Sequence, residues 1–354
     1  MRFYNYIISG NPDIEIVFLT GELPKNQGFH TKMEEAKFDV RVLPKRNIFG
    51  LELYIWPDGL IKASECVVCV ISLMSITNVY YAVVARLNST PFYWWGHSQN
   101  FSEQGFVETL KDKIKLLSLV SSSGVLAYTF REKERFLKHR WLKTKNIVSL
   151  GNTLDTENIL EINDSFRGHG FIDGSLDKTL ENKSIIGILG RLHQKRNVSL
   201  GIELFLEILS DRSDLVLLII GDGAEYPYLV DKYSSIKEIV FVGAIEEENE
   251  LAHYMRRVDF FIHTGLVGLN LVHGMCYGKP SIVLDLPIHS PEIEYLRNEK
   301  NGILVRTTAE MKLAIFRLLS DRDEVNRLGV NALADIKLHL SIQNMSNNFL
   351  KILS

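Results

Sequence analysis

The sequence predicts an α/β protein of parallel sheets, and three observations predict it. Short β-branched runs alternate with longer segments of helical period along the whole chain, which implies parallel sheets covered on both faces. Two such sets follow one another, and 354 residues suit two domains of ordinary size. A Gly-, Asp-, Asn- and Ser-rich segment without apolar period, SFRGHGFIDGSLDKTLENK, lies between the sets.

In the first half the strand candidates are IEIVFL, VRVL, LELYIW, CVVCVI, TPFYWW, GVLAYT and NIVSL. The second half offers SIIGILG, LVLLIIG, EIVFVG, DFFIH, PSIVL and GILV, with helical candidates such as NVSLGIELFLEIL (197–209) and NELAHYMRRV (249–258) between them. These runs divide the chain into a first domain over 1–160, a linker region over 161–183, a second domain over 184–335, and a C-terminal helix over 336–354 expected to pack back on the first domain. The chain opens on a helix-like RFYNYII, where doubly wound domains usually open on a strand and a glycine-rich turn. Either that strand is absent or the true start lies upstream.

Composition excludes several classes. Hydrophobic residues make up 46% and charged residues 23%, with a mean hydropathy of +0.02, as in soluble globular proteins. A net charge of -3 gives a nucleic-acid partner no bulk electrostatic support. Three cysteines make no disulfide framework and fit a reducing cytoplasm. Cys66 and Cys69 form a C-x-x-C inside ECVVCVIS, with no second Cys or His pair at ligand spacing, so they read as buried strand residues. The N-terminus has no signal-peptide pattern. The stretch from Cys66 to Ala85 is long enough to span a membrane, but Ser72, Ser75, Thr77 and Asn78 interrupt it, and a strand followed by a helix fits better. REKERFLKHRWLKTK (131–145) holds seven Lys+Arg with Phe136, Leu137, Trp141 and Leu142 interleaved. It reads equally as a solvated helix face and as a segment lying on an anionic membrane surface.

Three glycine-bearing strand ends carry the chemistry. The first, IIGILGRLHQKRNVSLGIELF, ends a strand at Gly190 and continues through Arg191, His193, Lys195 and Arg196 into a helix. In open α/β sheets ligands bind beyond the carboxyl ends of strands, so Arg191 and Arg196 stand where two guanidinium forks could grip a diphosphate. Solvated loop charges are the bland reading. The second, LVLLIIGDGAEYPYL, has a tight turn at Gly221 and Gly223. The third is DFFIH followed by TGLVG and the short helix LNLVHGMCY. Thr264, Gly265, Val267, Gly268 and Leu269 would there present backbone amides and a helix N-terminus to an anion. The D-x-D at Asp321 and Asp323 follows FRLLS and reads as a helix cap, so no metal site is expected. No H-E-x-x-H, Cys/His cluster or G-x-S-x-G supports a zinc or hydrolase reading.

The order GRL, KR and helix, then IIGDG, then VFVGAI, then a glycine turn with a helix and YGKPSIV, resembles GT-B glycosyltransferases of the GT4 family over roughly residues 90 to 335. NTLDT (152–156), PEIE (291–294) and NGILV (301–305) belong to the same resemblance. It implies two Rossmann-like domains whose parallel sheets face an interdomain cleft. It further implies a retaining transfer of sugar from a nucleotide-sugar donor to an acceptor hydroxyl, with no cofactor and no metal.

By that resemblance Arg191 and Arg196 hold the donor's diphosphate, with Lys195 adjacent and Gly190, Gly221 and Gly223 lining the site. The leaving phosphate itself would help deprotonate the acceptor. The family's two glutamates, eight positions apart, are replaced here by Gly265 and His273. The second glutamate normally meets the donor ribose, and a neutral imidazole can accept that hydroxyl's hydrogen bond; a core-packing histidine is the competing reading. G-x-V-G-L-x-x-x-H-x-x-x-Y-G-x-P, with WWGH (94–97), is similar to a branch found in bacterial surface-polysaccharide assembly.

In the first domain the resemblance places His97 against the donor sugar, with Gly96, Gln99 and Asn100 on the acceptor side. The expected partners are a nucleotide-sugar and a glycan or lipid-linked glycan. The expected location is cytoplasmic, with peripheral contact at the inner membrane face as a further expectation. An inactive glycosyltransferase-like scaffold and a sugar-nucleotide epimerase of similar architecture remain the alternatives.

Overall fold

The computed structural model describes residues 1–21, 35–48, 51–56, 59–70, 76–96, 119–165 and 180–353. The chain forms two compact units, residues 1–152 with 342–354, and residues 153–341. The division therefore falls at Asn152/Thr153, ahead of the segment over 161–183 that composition singles out.

The first unit begins with α1 (Arg2–Gly10) and the parallel pair β1 (Val17–Gly21) and β2 (Asp39–Leu43). An antiparallel hairpin of β3 (Lys45–Ile48) and β4 (Leu51–Tyr54) follows, a departure from the all-parallel expectation. After α2 (Leu60–Ala63) the chain builds β5 (Val67–Val70), α3 (Ile76–Leu87), β6 (Phe92–Gly96), β7 (Gly124–Ala127), α4 (Phe130–Lys138) and β8 (Asn146–Ser149). These last four strands form one parallel sheet in the order β5-β6-β7-β8. On one of its faces Phe92, Trp94, Val125 and Ile147 pack with Ala82 and Ala85 of α3 and Phe136 of α4. On the other, Tyr93, Leu126 and Val148 pack with Ile7 of α1 and with Met345, Phe349 and Ile352 from the end of the chain.

Cys69 is buried and Cys66 half-buried, and burial pushes both thiols up to about 12, so they are inert at neutral pH. In the basic segment Glu132, Phe136 and Leu142 turn inward, Glu132 pairing with Arg135, while Phe130 and Trp141 stand exposed. No helix among the described residues is long and apolar enough to cross a membrane.

The second unit runs α5 (Thr156–Ser165), β9 (Ser184–Leu189), α6 (Val198–Leu209), β10 (Leu215–Ile220), α7 (Tyr226–Tyr233), β11 (Ile239–Gly243), α8 (Glu248–Arg257), β12 (Phe260–His263), α9 (Leu269–Cys276), β13 (Ser281–Leu284), β14 (Ile303–Val305), α10 (Thr308–Ser320) and α11 (Arg322–His339). The chain then closes with α12 (Ile342–Leu350), which belongs to the first unit. Asp321 caps α11, its Oδ1 accepting the Glu324 amide at 2.9 Å.

The six strands of this unit are parallel in the order β11-β10-β9-β12-β13-β14. The chain starts in the middle, builds outward through β10 and β11, then returns to the other side of β9 to lay down β12, β13 and β14. This is the doubly wound arrangement, with its switch point between β9 and β12.

Both faces are covered, which is why the strands read as unbroken apolar runs. Leu215, Leu217 and Ile219 of β10 face α6, α7 and α10, whereas Val216, Leu218 and Ile220 face α8, α9 and α11. Helix α6 leaves β9 toward one face and α9 leaves β12 toward the other. The loops that start them therefore diverge at the switch point.

Candidate anion and nucleotide site at the sheet switch point

Strands β9 and β12 pair only at Ile186 with Phe260 and Gly187 with Phe261, so their carboxyl ends part before either strand finishes. Two side chains reach the carbonyl of Leu189 left at that parting. Asn270 Nδ2 donates to it at 3.2 Å, and Arg196 Nη1 lies 3.5 Å from it.

Backbone packing holds the flanking loops together. The Leu266 amide donates to the Lys195 carbonyl at 2.7 Å, and the Thr264 hydroxyl donates to the Asn197 carbonyl at 2.8 Å. A Cβ on Gly265 would sit 2.3 Å from the Arg196 carbonyl carbon, so only glycine permits this approach. The GDG turn is stitched on similarly: Leu192 donates to Asp222, and a Cβ on Gly221 would fall 2.1 Å from the Gly190 carbonyl. Gly221 and Gly223 thus serve loop packing directly and any ligand indirectly.

Arg196 ends a single turn of 3-10 helix, Gln194–Arg196, and its guanidinium folds back onto Gly190, whose φ of +118° is open to glycine alone. The side chain is half-buried, and among the described residues no carboxylate pairs with it. Its Nε is buried without a hydrogen-bond partner. Burial, and then the neighbouring charge of Arg191, pull its pKa down to about 10. His193 is lowered by burial and by Arg196, Arg191 and Lys195. A desolvated cation in a positive neighbourhood is unfavourable until an anion arrives. Arg191 is half-buried and Lys195 exposed on the same loop.

Three amides of the TGLVG turn, expected to be open to a phosphate, are engaged within the protein. Leu266 is engaged by Lys195, the Val267 amide donates to His289 Nδ1 at 3.1 Å, and the Gly268 amide donates to Asn270 Oδ1 at 2.9 Å. Val267 itself is buried in the core. What stays open is the first turn of α9. No side chain caps it, and the Leu269 and Asn270 amides have no partner among the described residues. Gly268 keeps the approach clear, since a Cβ there would meet nothing nearer than Ser290 Oγ at 3.5 Å.

Behind this turn lies a buried polar network. Asn270 Oδ1 is an acceptor, so its Nδ2 donates to His263 Nδ1 at 3.0 Å, and His263 Nε2 donates to Ser281 Oγ at 3.2 Å. Burial, with the charge of Arg196 and with His289, pulls His263 down to about 3 and keeps it neutral. His289, also lowered by burial, accepts from Val267 and therefore donates from Nε2 to the Leu284 carbonyl at 2.8 Å.

His273 lies one turn into α9. Its Nε2 is 2.9 Å from Glu248 Oε1 on α8, and the Tyr277 hydroxyl donates to the same oxygen at 2.6 Å. Glu248 is buried.

The structure thus gathers Gly190, Arg191, Lys195, Arg196, Thr264, Gly265, Gly268, Leu269 and His273 on the β9 and β12 loops and α9. Gly96 closes β6 in the first unit, and His97, Gln99 and Asn100 lie outside the described residues. Sequence reading missed Asn270, His263, His289 and Glu248. An Asn at the second position of a helix after a glycine turn is a local signal for Asn270; Glu248 had none.

The fold is GT-B. The Anabaena protein HepE, solved in complex with UDP, superposes with a TM-score of 0.71 at 14% identity, covering 96% of this chain and 99% of that one. Sucrose-phosphate synthase of Thermosynechococcus elongatus gives 0.67 at 15% identity, covering 99% of this chain and 92% of that one. Residues 183–321 match the family described as Glycosyl transferases group 1.

Over 83 residues the chain is 39% identical to a GDP-mannose-dependent alpha-mannosyltransferase of Corynebacterium glutamicum, which is 23% of this chain and 18% of that protein. Over 228 residues it is 22% identical to an uncharacterized glycosyltransferase of Methanocaldococcus jannaschii, 62% of this chain and 55% of that one. The matches thus span 18% and 55% of the lengths of these two curated relatives.

Proposed function

We propose that this protein is a glycosyltransferase that moves a sugar from a nucleotide-sugar donor to a hydroxyl of a glycan or lipid-linked glycan acceptor. The observation that carries the reading is Arg196, a half-buried guanidinium with a buried, unbonded Nε and no described carboxylate partner, at the switch point beside an open helix N-terminus. The match of residues 183–321 to Glycosyl transferases group 1 covers this whole site.

In this reading the diphosphate sits between Arg196, Arg191 and the Leu269 and Asn270 amides. When the bond from the anomeric carbon to the phosphate oxygen breaks, negative charge grows on the leaving diphosphate. Preorganised cations, amides and the α9 dipole stabilise that charge where it appears. The chain's own groups supply this stabilisation, so transfer is proposed to be metal-independent. Retention at the anomeric carbon and a role in bacterial surface-polysaccharide assembly follow from the GT4 resemblance.

The test is ligand-induced stabilisation with UDP and GDP, since relatives are named with each. At a hundredfold excess over Kd a ligand adds about 2.7 kcal/mol, which for a unit of this size raises the melting temperature by roughly 5–10 °C. Arg196→Ala and Arg191→Ala are expected to abolish that shift while keeping the unliganded fold. They are also expected to lower donor turnover in EDTA by at least about a hundredfold, read by mass spectrometry. A full shift in both variants would overturn the diphosphate assignment.

A further inference from the structure

We propose that Glu248 is a positioning residue that fixes the tautomer of the neutral His273 ring, turning Nδ1 into the acceptor for a ligand hydroxyl, so that the site selects a ribose over its deoxy counterpart. This rests on the nucleotide reading above and adds to it a residue outside every motif in the chain.

Glu248 Oε1 receives the Tyr277 hydroxyl at 2.6 Å and lies 2.9 Å from His273 Nε2. Tyr277 is a donor to this oxygen, and a carboxylate in its ionised form can only accept, so its second hydrogen bond has to come from the ring. Tyr277 is held as a donor, because burial and the bond to Glu248 raise its pKa. His273 Nε2 must therefore carry the ring proton. In the neutral ring that leaves Nδ1 with a lone pair, and no described residue meets it.

Helix geometry then places this acceptor. Side chains of a helix lean toward its N-terminus, so the imidazole of His273 overlies the turn at Leu269. That is the turn whose amides stay open, beside Arg196. A molecule seated with its phosphates on those amides offers Nδ1 whatever lies next to its phosphate, which in a nucleotide is the ribose and its hydroxyl donors.

The bland alternative is a polar tie between α8 and α9. Leu251 and Met255 of α8 lie in the same apolar core as Val272 and Met275 of α9, and a tie of this kind would leave ribose preference untouched when it is removed.

The experiment compares UDP and GDP with their 2′,3′-dideoxy forms by calorimetry on the full chain. Wild type is expected to bind the ribose form about fivefold or more tightly. Glu248→Ala and His273→Ala are each expected to remove most of that preference while leaving dideoxy affinity within about twofold. Glu248→Gln, whose amide oxygen can still accept both donors, is expected to retain it. Equal weakening of both forms in Glu248→Ala, or an unchanged preference, overturns the proposal.

A second measurement reads the wild-type ring directly. In protein labelled with 15N-histidine, the His273 signals, assigned by their loss in His273→Gln, should show a protonated Nε2 and a bare Nδ1 that shifts on adding the ribose form alone. A protonated Nδ1 in the neutral ring overturns the assignment. If wild type binds neither UDP nor GDP, the proposed function itself falls. If it binds them without regard to the hydroxyls, only the Glu248 assignment falls.

Discussion

Gly265 shows how closely the site depends on single atoms. Its Cα lies against the backbone of Lys195 and Arg196, and an added methyl would stand 2.3 Å from the Arg196 carbonyl carbon and 2.4 Å from the Lys195 oxygen. Those neighbours are backbone, so they cannot rotate away. Gly265→Ala is expected to push the β9 and β12 loops apart and to destabilise the second unit by about 1–3 kcal/mol, with weaker nucleoside-diphosphate binding, both read by thermal denaturation with and without ligand. An unchanged melting temperature and ligand shift would show that the loops are looser than this packing implies. Arg196 was legible from the GRLHQKR string because a strand end followed by clustered cations is a local pattern. Asn270 reaching Leu189 across 81 positions, and His273 reaching Glu248 across 25, are products of the fold.

At the scale of the element, the turn before α9 is held by two neutral histidines. His263 accepts from Asn270 and His289 accepts from Val267, and each would lose its accepting lone pair on protonation. Both have pKa values lowered from 6.5, that of His263 to about 3. A depressed folded pKa means the unfolded chain takes up protons first. The stabilisation is therefore full above the unfolded value of 6.5 and is lost as pH falls toward about 3. Urea midpoints are expected to drop across that window, and hydrogen exchange at the Val267 amide should lose protection as they do. Stability that stays flat down to the carboxylate range would contradict the neutral network. The helix α9 and the strand β12 were both readable from spacing. That the Leu266 and Val267 amides are taken internally was not, because their acceptors, Lys195 and His289, come from other loops.

At the scale of the molecule, the proposed nucleotide site lies wholly within residues 153–341, whereas the end of the chain belongs to the first unit. Met345, Phe349 and Ile352 cover the sheet face made by Tyr93, Leu126 and Val148. Each such side chain contributes about 1.5–3 kcal/mol on burial, so deleting residues 342–354 should cost the first unit more than about 5 kcal/mol. The truncated chain is expected to show a lost or lowered first transition in calorimetry, with nucleoside-diphosphate stabilisation of the second transition preserved. Loss of both transitions together would mean that the units do not fold independently.

Alternation of β-branched and helical segments was enough to specify parallel sheets in two sets, because burial on both faces writes itself into each strand as an unbroken apolar run. The glycine-bearing strand ends and their cations were equally plain, since a switch-point loop is a few consecutive residues. Tertiary structure alone decided which glycines serve backbone packing, which amides remain open and which carboxylate stands behind His273. Each of those depends on atoms brought within about 3 Å from distant parts of the chain, where hydrogen bonding acts and sequence spacing carries no record of it.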